Sequence, residues 1–428
     1  MFPGERRHGR SARINPTETG GRLGCGPETR APVSVRSGGA ELEPVDVCRA
    51  RLSPVAMLDL SVRSCRGAVG GDRICRDGKK GELMRDTYEA GRAVRVLIVD
   101  DSSTMRRLIR SGIEQDPKIK VVGEAANAQE ARAAVKALTP DVMTLDVEMP
   151  GMSGIEFLDR LMRARPMPVI MFSTLTRAGS EAAVQAMALG AVDCVEKPRF
   201  GEARDVFAQL TEKLRVAAAA RVGGQRRGAV AGPEAAPSRA WNGRWILIGS
   251  STGGVEALET VLGRFPADCP PTLITQHMPA QFLVSFAARL NANVAPTVRL
   301  AQQGARPGRG QVLIAPGEAA HLHIAADGQS VVLADSPKRS GHRPSVDEMF
   351  ASARPHARRM IAAILTGMGR DGAEEMAALR AAGARCIGQD SETCVVYGMP
   401  RVAWDLGGVE QQLPLSAIAD RLLELAAE

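Results

Sequence analysis

Short β-branched runs alternate with helical patterns from Val94 onward, and this alternation limits the possible folds more than any other feature of the sequence. Strands that alternate with helices pair in parallel, because each helix carries the chain back across a face of the sheet. The repeat therefore predicts a five-stranded parallel α/β sheet with helices on both faces. The predicted strands are Val94–Val99, Val121–Glu124, Val142–Asp146, Pro168–Ser173 and Ala191–Val195.

A second α/β pattern begins at Trp245–Gly249 and continues to the end of the chain without repeating the first. Its further apolar strands are Thr272–Thr275, Gln311–Ala315 and Ile361–Leu365. Between the two patterns, residues 223–240 supply Gly, Pro, Ala and Arg without a period, as interdomain linkers do. The sequence thus predicts two α/β domains joined by a linker.

The positive charge of the chain lies almost entirely in its first segment. The formal net charge is +7, but residues 1–80 hold fifteen Lys and Arg against nine Asp and Glu, which leaves residues 81–428 at +1. Residues 1–92 are rich in Arg, Gly, Ser and Pro and lack a period, so we expect disorder there. Met84, just before the first strand, is an alternative start of the native protein. A genuine basic extension is the other interpretation.

Membrane and secretory signals are lacking in the sequence. No window reaches about eighteen apolar residues, and the N-terminus lacks the apolar stretch of a signal peptide. We therefore expect a cytoplasmic protein without membrane insertion. The cysteines that follow residue 92 lie in apolar surroundings, where we expect reduced core thiols. They are Cys194, Cys269, Cys386 and Cys394.

Charged and hydroxyl side chains follow four strands of the first predicted sheet. Asp100 and Asp101 follow the first strand and Asp146 ends the third, so three carboxylates meet at the edge where parallel sheets bind ligands. They cannot all stay ionised and unpaired, and Mg²⁺ is the cation that suits oxygen ligands there. Ser173 and Lys197 follow the next strands and can contact a phosphoryl group. Any one acidic residue could simply cap a strand end, but the set favours phosphoryl transfer onto a carboxylate.

A small-residue turn follows the first strand of the second domain. The sequence GSSTGG contains Ser250 and Ser251 and leads into a helix. Such a turn can cradle a phosphate on helix amides or expose a serine nucleophile. Because the spacing is not GxGxxG and no Lys follows as in a phosphate-binding loop, nucleotide binding is the weaker alternative.

A histidine and an aspartate follow other strands of the second domain. His277 comes after Thr272–Thr275, and Asp371 comes after Ile361–Leu365 in another glycine-rich turn. A lone histidine at a strand end is more often a structural hydrogen-bonding group than a base. Serine, histidine and aspartate at three such ends, however, can assemble at one sheet edge as a nucleophile, a base and an orienting acid.

The motifs VDDS, LDVEMPGMSG and EKP make residues 94–215 resemble the receiver domain of bacterial response regulators. The resemblance implies a flavodoxin-like fold with Asp146 as the phosphoacceptor. It implies that Mg²⁺ is held by Asp100, Asp101, Asp146 and the main-chain carbonyl of Glu148. It also implies that Ser173 and Lys197 contact the phosphoryl group. Cys194 stands where the family often has an aromatic switch residue, which puts the route of signal coupling in doubt.

Six further motifs make residues 245–428 resemble the catalytic domain of the CheB family, the chemotaxis protein-glutamate methylesterases. The motifs are GSSTGG, ITQHMP, GQVLIAPG, GHRPSVDEMF, ILTGMGRDGA and CVVYGMPR. The resemblance implies a second doubly wound α/β domain with esterase activity. The expected organisation is an extension at 1–92, a receiver at 93–215, a linker at 216–243 and a methylesterase domain at 244–428.

By position in these motifs, the resemblance implies that Ser251 is the nucleophile, His277 the general base and acid, and Asp371 the residue that orients His277. It also implies an oxyanion donor at the backbone N–H of Met368. The expected cleft residues are Thr252, His342 and Arg343. Two residues depart from the family pattern, since Ser250 stands where alanine is common and Arg370 where asparagine is common.

The function implied by the resemblance is phosphorylation-activated hydrolysis of glutamate methyl esters on methyl-accepting chemotaxis receptors, with deamidation of receptor glutamines by the same route. A CheA-type histidine kinase would supply the phosphoryl group, and the esterase chemistry would need no cofactor. One alternative is a non-catalytic signalling module that binds receptors or acts as a phosphate sink. The other is a DNA-binding response regulator, which the absence of a helix-turn-helix pattern and of a basic stripe argues against.

Overall fold

The computed structural model describes residues 92–174, 176–198, 203–223, 236–238, 240–317 and 320–428. These residues all belong to one structural unit, Lys80–Glu428. Nearly all of the predicted N-terminal extension lies outside the described residues, as does part of the predicted linker. Disorder before residue 92, the start at Met84 and the domain boundaries therefore stay predictions.

The first sheet has five parallel strands in the order β2-β1-β3-β4-β5. This is the flavodoxin-like order, and it confirms the predicted sheet. β3 and β4 are buried along their whole length, because helices cover both faces of a parallel sheet. The strands are β1 (Val94–Val99), β2 (Ile119–Ala125), β3 (Val142–Asp146), β4 (Val169–Ser173) and β5 (Asp193–Glu196).

Polar side chains fix the starts of the first helices. Ser102, Asn127, Ser153 and Thr176 each accept a hydrogen bond from a backbone amide in the first turn of the helix that follows. Such caps satisfy amides that have no partner within the helix. The helices are α1 (Ser103–Ile113), α2 (Ala128–Leu138), α3 (Gly154–Ala164), α4 (Arg177–Ala188) and α5 (Ala203–Ala218).

The second sheet has seven parallel strands in the order β14-β13-β12-β6-β7-β9-β8, which confirms a second doubly wound α/β domain. β10 (His321–Ile324) and β11 (Val331–Ala334) form a separate antiparallel pair. The strands of the large sheet are β6 (Trp245–Ser250), β7 (Thr272–Gln276), β8 (Thr297–Leu300), β9 (Gln311–Ile314), β12 (Met360–Ile364), β13 (Arg385–Gln389) and β14 (Gln411–Leu413).

Helices cover both faces of the second sheet and leave the carboxyl ends of β6, β7 and β12 next to one another. A short 3₁₀ helix, Arg354–Arg359, leads into β12. The α-helices are α6 (Gly254–Gly263), α7 (Ala280–Asn293), α8 (Val346–Ala353), α9 (Ala373–Ala381), α10 (Met399–Asp405) and α11 (Leu415–Leu425).

The two sheets are joined by an apolar interface. α4 of the first domain packs against α6 and α7 of the second, and buried side chains of all three helices belong to one apolar cluster. Backbone hydrogen bonds also cross the interface, from the Gly253 amide to the Val192 carbonyl (3.2 Å) and from the Arg221 amide to the Val395 carbonyl (3.2 Å). The first domain is thereby held against the turn that follows β6.

The four cysteines predicted to be reduced core thiols are free and buried, which confirms that prediction. Burial raises the pKa of the Cys194 thiol to about 12. Cys194 therefore stays a neutral, apolar side chain inside the first domain, unlike the aromatic residue that is common at this position.

Candidate active sites

Three carboxylates meet at the carboxyl edge of the first sheet. Asp100 follows β1, Asp146 ends β3, and one oxygen from each of Asp100, Asp101 and Asp146 lies within 4.8 Å of the others. Asp100 and Asp146 are buried, whereas Asp101 is exposed. Converging carboxylate oxygens that are open on one side are a donor set that fits Mg²⁺, which keeps several water ligands in protein sites.

A lysine ammonium joins the two buried carboxylates. Lys197 Nζ lies 2.8 Å from Asp100 Oδ2 and 2.7 Å from Asp146 Oδ2. Burial raises the pKa of Asp146, and the nearby Lys197 offsets only part of that effect. Burial alone would lower the pKa of Lys197, but its hydrogen bonds to both carboxylates outweigh burial and raise it. The lysine is therefore cationic beside Asp146, where an added phosphoryl group would place further negative charge.

Ser173 and Glu148 lie beside this carboxylate cluster. Asp146 pairs with Phe172 across β3 and β4, so Ser173 is one position nearer the sheet edge on the neighbouring strand. Its buried hydroxyl donates to the carbonyl oxygens of Thr174 (3.3 Å) and Gly179 (3.4 Å). The Glu148 amide donates to Asp146 Oδ1 (3.3 Å). All the side chains predicted to bind Mg²⁺ or the phosphoryl group thus gather at this edge.

Ser251 lies in the turn between β6 and α6, and the neighbouring strands hold its backbone. Its amide donates to the Thr366 carbonyl (3.1 Å), and its carbonyl accepts from Gln276 Nε2 (2.9 Å). Gly253 has a φ of +78°, a left-handed conformation that glycine adopts without steric cost. The turn therefore fixes Ser251 at the carboxyl edge of the second sheet.

The two neighbouring serines have different environments. Ser250 is fully buried, and its Oγ donates to Gln276 Oε1 at 2.6 Å. Ser251 is 9% exposed. Ser250 is therefore engaged inside the domain, whereas a small part of Ser251 remains exposed.

His277 and Asp371 form a hydrogen-bonded pair beside this turn. His277 Nε2 lies 2.7 Å from Asp371 Oδ2, and the His277 amide donates to the Ser250 carbonyl (3.1 Å). His277 Nδ1 is buried and has no hydrogen-bond partner within the described part of the chain. Since one nitrogen of a neutral imidazole carries hydrogen and the other accepts, the pairing with Asp371 leaves Nδ1 as the accepting nitrogen.

Asp371 is held as a carboxylate by the start of α8. It accepts hydrogen bonds from Ser345 Oγ (2.7 Å) and from the amides of Val346 (2.7 Å) and Asp347 (3.1 Å). Burial alone would raise the pKa of Asp371, but the bonds from His277, Ser345 and Val346 outweigh burial and hold it well below its usual range. The ionised carboxylate keeps the proton of His277 on Nε2.

The hydroxyl of Ser251 makes no hydrogen bond to His277 among the residues that the structure describes. Ser251 and His277 are thus neighbours at one edge without a formed contact between them. Such contacts often tighten only when substrate is bound.

The predicted cleft residues fall in different surroundings. The Thr252 hydroxyl donates to Asp193 Oδ2 in the first domain (2.6 Å). The imidazole of His342 stacks on that of His277. Arg343 donates to Asp335 Oδ1 (2.9 Å) and to the Ser336 carbonyl (3.2 Å).

The loop after β12 also borders a cleft between the domains. Met368 and Gly369 line a cleft of about 1080 Å³ whose other wall is formed by α1 and α5. Arg370 is exposed and forms an ion pair with Glu374, so its charge is directed to solvent rather than to the site. The expected oxyanion donor, the Met368 amide, therefore lies in a loop that faces the first domain.

Some residues of the sites were missed at the sequence level. Gln276, which holds both serines by hydrogen bonds, was not predicted. Its place at a strand end, directly before His277, is a signal that could have found it. Ser345 begins the sequence Ser-x-x-Glu, a helix-start signal that predicts the cap of α8. Asp193 and its partner Lys213, whose Nζ lies 2.8 Å away, carried no signal because their contact with Thr252 is tertiary.

Together, the fold and the two sites define a response regulator, with a receiver domain followed by an α/β domain that carries serine, histidine and aspartate at its sheet edge. The family model of the response regulator receiver domain matches residues 96–207, and that of the CheB methylesterase matches residues 246–422. The chain belongs to the CheB methylesterase family. None of the helices in the described ranges is long and apolar enough to cross a membrane.

Similar proteins match this chain over most of their own length. A protein of Agrobacterium fabrum named protein-glutamate methylesterase/protein-glutamine glutaminase is 53% identical over 338 residues, which cover 77% of this chain and 96% of the relative. A protein of Caulobacter vibrioides with the same name, numbered 1, is 50% identical over 341 residues, covering 78% and 98%. The crystal structure of the Thermotoga maritima CheB methylesterase catalytic domain is 37% identical and covers 43% of this chain and 99% of that one, with a TM-score of 0.41.

Proposed function

We propose that the protein is a phosphorylation-activated methylesterase that removes methyl groups from glutamates of methyl-accepting chemotaxis receptors in the cytoplasm. We propose that it also deamidates receptor glutamines by the same chemistry. The observation that carries the proposal is the hydrogen-bonded His277–Asp371 pair at the same sheet edge as Ser251, the less buried of the two neighbouring serines. The 53% identity to a protein named protein-glutamate methylesterase/protein-glutamine glutaminase supports glutamate and glutamine side chains of a protein as the substrate.

In the proposed reaction, Asp371 accepts a hydrogen bond from the Nε2–H of His277, which keeps that proton, and the lone pair of Nδ1 takes the proton of the Ser251 hydroxyl. Ser251 Oγ then attacks the ester carbonyl carbon and forms a tetrahedral intermediate. His277 returns the proton to the leaving oxygen, and methanol departs from an acyl-serine. Water activated by His277 releases the glutamate. For a glutamine the leaving group is ammonia.

The Met368 amide is the proposed donor to the oxyanion. A preorganised donor of this kind contributes about 3 kcal/mol to transition-state stabilisation in comparable sites. Gly367 allows the loop to approach the nucleophile, because a Cβ at this position would lie 2.8 Å from the Cβ of Ser251. A larger residue would push the donor loop away from the serine.

Asp146 is the proposed phosphoacceptor, with a CheA-type histidine kinase as donor. Asp100, Asp101, Asp146 and the Glu148 carbonyl would hold Mg²⁺, which neutralises charge on a transferring phosphoryl group when it is bound. Lys197 and the Ser173 hydroxyl would then contact the phosphoryl oxygens. Lys197 already spans Asp100 and Asp146, so new charge on Asp146 changes the pairing of this lysine.

The receiver would control access to Ser251. Asp193 and Val192 contact Thr252 and Gly253, the residues that directly follow the nucleophile. A substrate helix cannot approach the serine while the receiver covers this turn. Phosphorylation would shift the population from the closed arrangement to one in which the turn is released.

The test is methanol release from methylated receptor membranes by the full chain, with Mg²⁺ and with or without a small-molecule phosphodonor. We expect phosphodonor to stimulate the wild type, Ser251→Ala to abolish release, and Asp146→Asn to lose stimulation but keep basal activity. Ser250→Ala is the matched control and keeps activity, because alanine is common at this position in the family. Equal, background-level release by wild type and Ser251→Ala on a methylated receptor would overturn the proposal and favour a non-catalytic signalling module.

A further inference from the structure

A second imidazole lies face to face with the proposed base. The ring centroids of His342 and His277 are 3.7 Å apart, and the ring planes differ by 9°. This is a near-parallel stack at van der Waals distance, closer than most aromatic pairs in proteins. The two rings therefore cover each other, and neither can turn about its Cβ–Cγ bond without displacing its neighbour.

The segment that carries His342 is a tight reverse turn. Arg339 and His342 exchange backbone hydrogen bonds in both directions (3.1 and 2.9 Å). The two residues between them, Ser340 and Gly341, have positive φ values of 52° and 82°. Positive φ at both central positions is the geometry of the tightest hairpin turns. The turn therefore fixes the direction in which the His342 side chain leaves the backbone.

Side chains of the turn anchor it to the helices beside the site. Arg339 forms ion pairs with Glu348 of α8 and Glu375 of α9. Ser340 Oγ donates to Asp347 Oδ2 (3.0 Å), and Asp347 is itself the second residue of α8. α8 is also the helix whose first amides hold Asp371. The orienting carboxylate and the stacked imidazole are thus fixed to the same element.

We propose that His342 is a positioning residue for His277: its imidazole face holds the base in the plane in which Nε2 reaches Asp371 and Nδ1 remains available to Ser251. The inference rests on the proposed function for its kinetic consequence, but the contact itself does not depend on the substrate.

His277 needs this support because its side chain has only one hydrogen bond. Asp371 holds Nε2, while Nδ1 is buried without a partner in the described part of the chain. A ring held at one nitrogen can swing about that bond, and a swing moves Nδ1 away from the nucleophile. The stack opposes this motion without using the nitrogen that the reaction requires.

A neutral side chain suits the position. Burial, together with the neighbouring His277, lowers the pKa of His342 to about 4, so this ring stays uncharged at neutral pH. When His277 takes the serine proton it becomes a cation, and a second cation stacked on it would oppose that step. A neutral aromatic face next to a cation is instead favourable.

The kinetic experiment uses the full chain and methanol release from methylated receptor membranes. For His342→Ala we expect kcat to fall by roughly 10- to 100-fold with little change in KM, because a base displaced by about 1 Å reacts that much more slowly. His342→Phe restores the aromatic face without a ring nitrogen, and we expect its kcat to lie within about 3-fold of the wild type. His356→Ala is the matched control for the loss of a histidine elsewhere in this domain.

A second readout does not need the substrate. In protein with ¹⁵N-labelled histidine, we expect His277 to show one tautomer, protonated at Nε2, in the wild type and in His342→Phe. In His342→Ala we expect averaged or broadened His277 signals, while the thermal unfolding midpoint of the variant shows that it is folded.

The outcomes separate the two proposals. An unchanged kcat in His342→Ala with unchanged His277 signals would overturn the positioning role. A His342→Phe variant as slow as His342→Ala would also overturn the positioning role, because the reaction would then require the ring nitrogen rather than the aromatic face. If the wild type releases no methanol, the proposed function fails, and the tautomer measurement alone decides the role of His342.

Discussion

At the scale of single residues, the second domain buries two carboxyl groups side by side. Asp371 is stabilised as an anion by His277, Ser345 and two backbone amides. Asp347 is 4% exposed and, within the described ranges, accepts hydrogen bonds from Ser340 Oγ (3.0 Å) and from the Glu375 amide (3.4 Å). Burial and the charge of Asp371 raise the pKa of Asp347 to about 6. The fold thus lowers the pKa of one carboxyl group and raises that of the other.

This difference predicts a pH dependence of stability that belongs to Asp347. Its pKa is near 4 in the unfolded chain and about 6 in the folded one, so the folded state binds the proton more tightly. The stabilisation is complete below pH 4 and is lost as the pH rises through 6. We expect Asp347→Asn to gain about 2 kcal/mol relative to the wild type between pH 4 and pH 8.

The measurement is the free energy of unfolding by denaturant at both pH values. Asp335→Asn, at a side chain that is 85% exposed, is the control for losing a carboxylate near this site. A wild-type to Asp347→Asn difference that is the same at pH 4 and pH 8 would contradict the prediction.

At the scale of secondary-structure elements, β5 connects the two candidate sites. Asp193, its first residue, accepts the Thr252 hydroxyl and pairs with Lys213. Lys197, directly after its last residue, pairs with Asp100 and Asp146. Four strand residues span only about 13 Å. A change in the pairing of Lys197 therefore acts on a short, stiff strand whose other end contacts the turn that contains Ser251.

The contact at the start of β5 predicts a more active unphosphorylated enzyme when it is removed. Asp193→Ala deprives Thr252 of its acceptor in the closed arrangement, whereas the loss of the Asp193–Lys213 pair, which lies within the first domain, affects both arrangements. A hydrogen bond to a charged group contributes about 1.5 kcal/mol, so we expect basal methanol release to rise by about 10-fold. The stimulation by phosphodonor should shrink accordingly.

Asp159→Ala is the matched control for Asp193→Ala, because Asp159 pairs only along its own helix, with Arg163. Unaltered basal and stimulated rates in Asp193→Ala would mean that this contact does not restrain the closed arrangement.

Local sequence patterns explain which strands could be predicted and which could not. Buried parallel strands are apolar runs, so β1, β3 and β6 were predictable, and their ends directed attention to Asp100, Asp146 and Ser251. β8, β13 and β14 were not predicted, because they are short or carry polar residues. Contacts such as the one between Asp193 and Thr252 join residues far apart in the chain, and no local pattern encodes them.

At the scale of the whole molecule, the apolar interface makes the domains one cooperative assembly in the closed arrangement. α4 contributes buried residues such as Val184 and Met187 to the same cluster as Leu258 of α6 and Phe286 of α7. If activation separates the domains, part of this cluster must be exposed or rearranged. Activation by separation of the domains would then have a structural cost, which phosphorylation of the proposed acceptor Asp146 would have to offset.

That cost predicts a change in hydrogen exchange on activation. With Mg²⁺ and phosphodonor, we expect backbone amides of α4, α6 and α7 to exchange faster in the wild type, because exchange reports local and subglobal opening. Amides of β12, in the middle of the second sheet, should keep their protection and serve as the internal control. Asp146→Asn, and wild type after Mg²⁺ is chelated, should show no change. Stimulated methanol release without faster exchange at the interface would mean that the receiver activates Ser251 while the interface stays closed, through β5 rather than through separation of the domains.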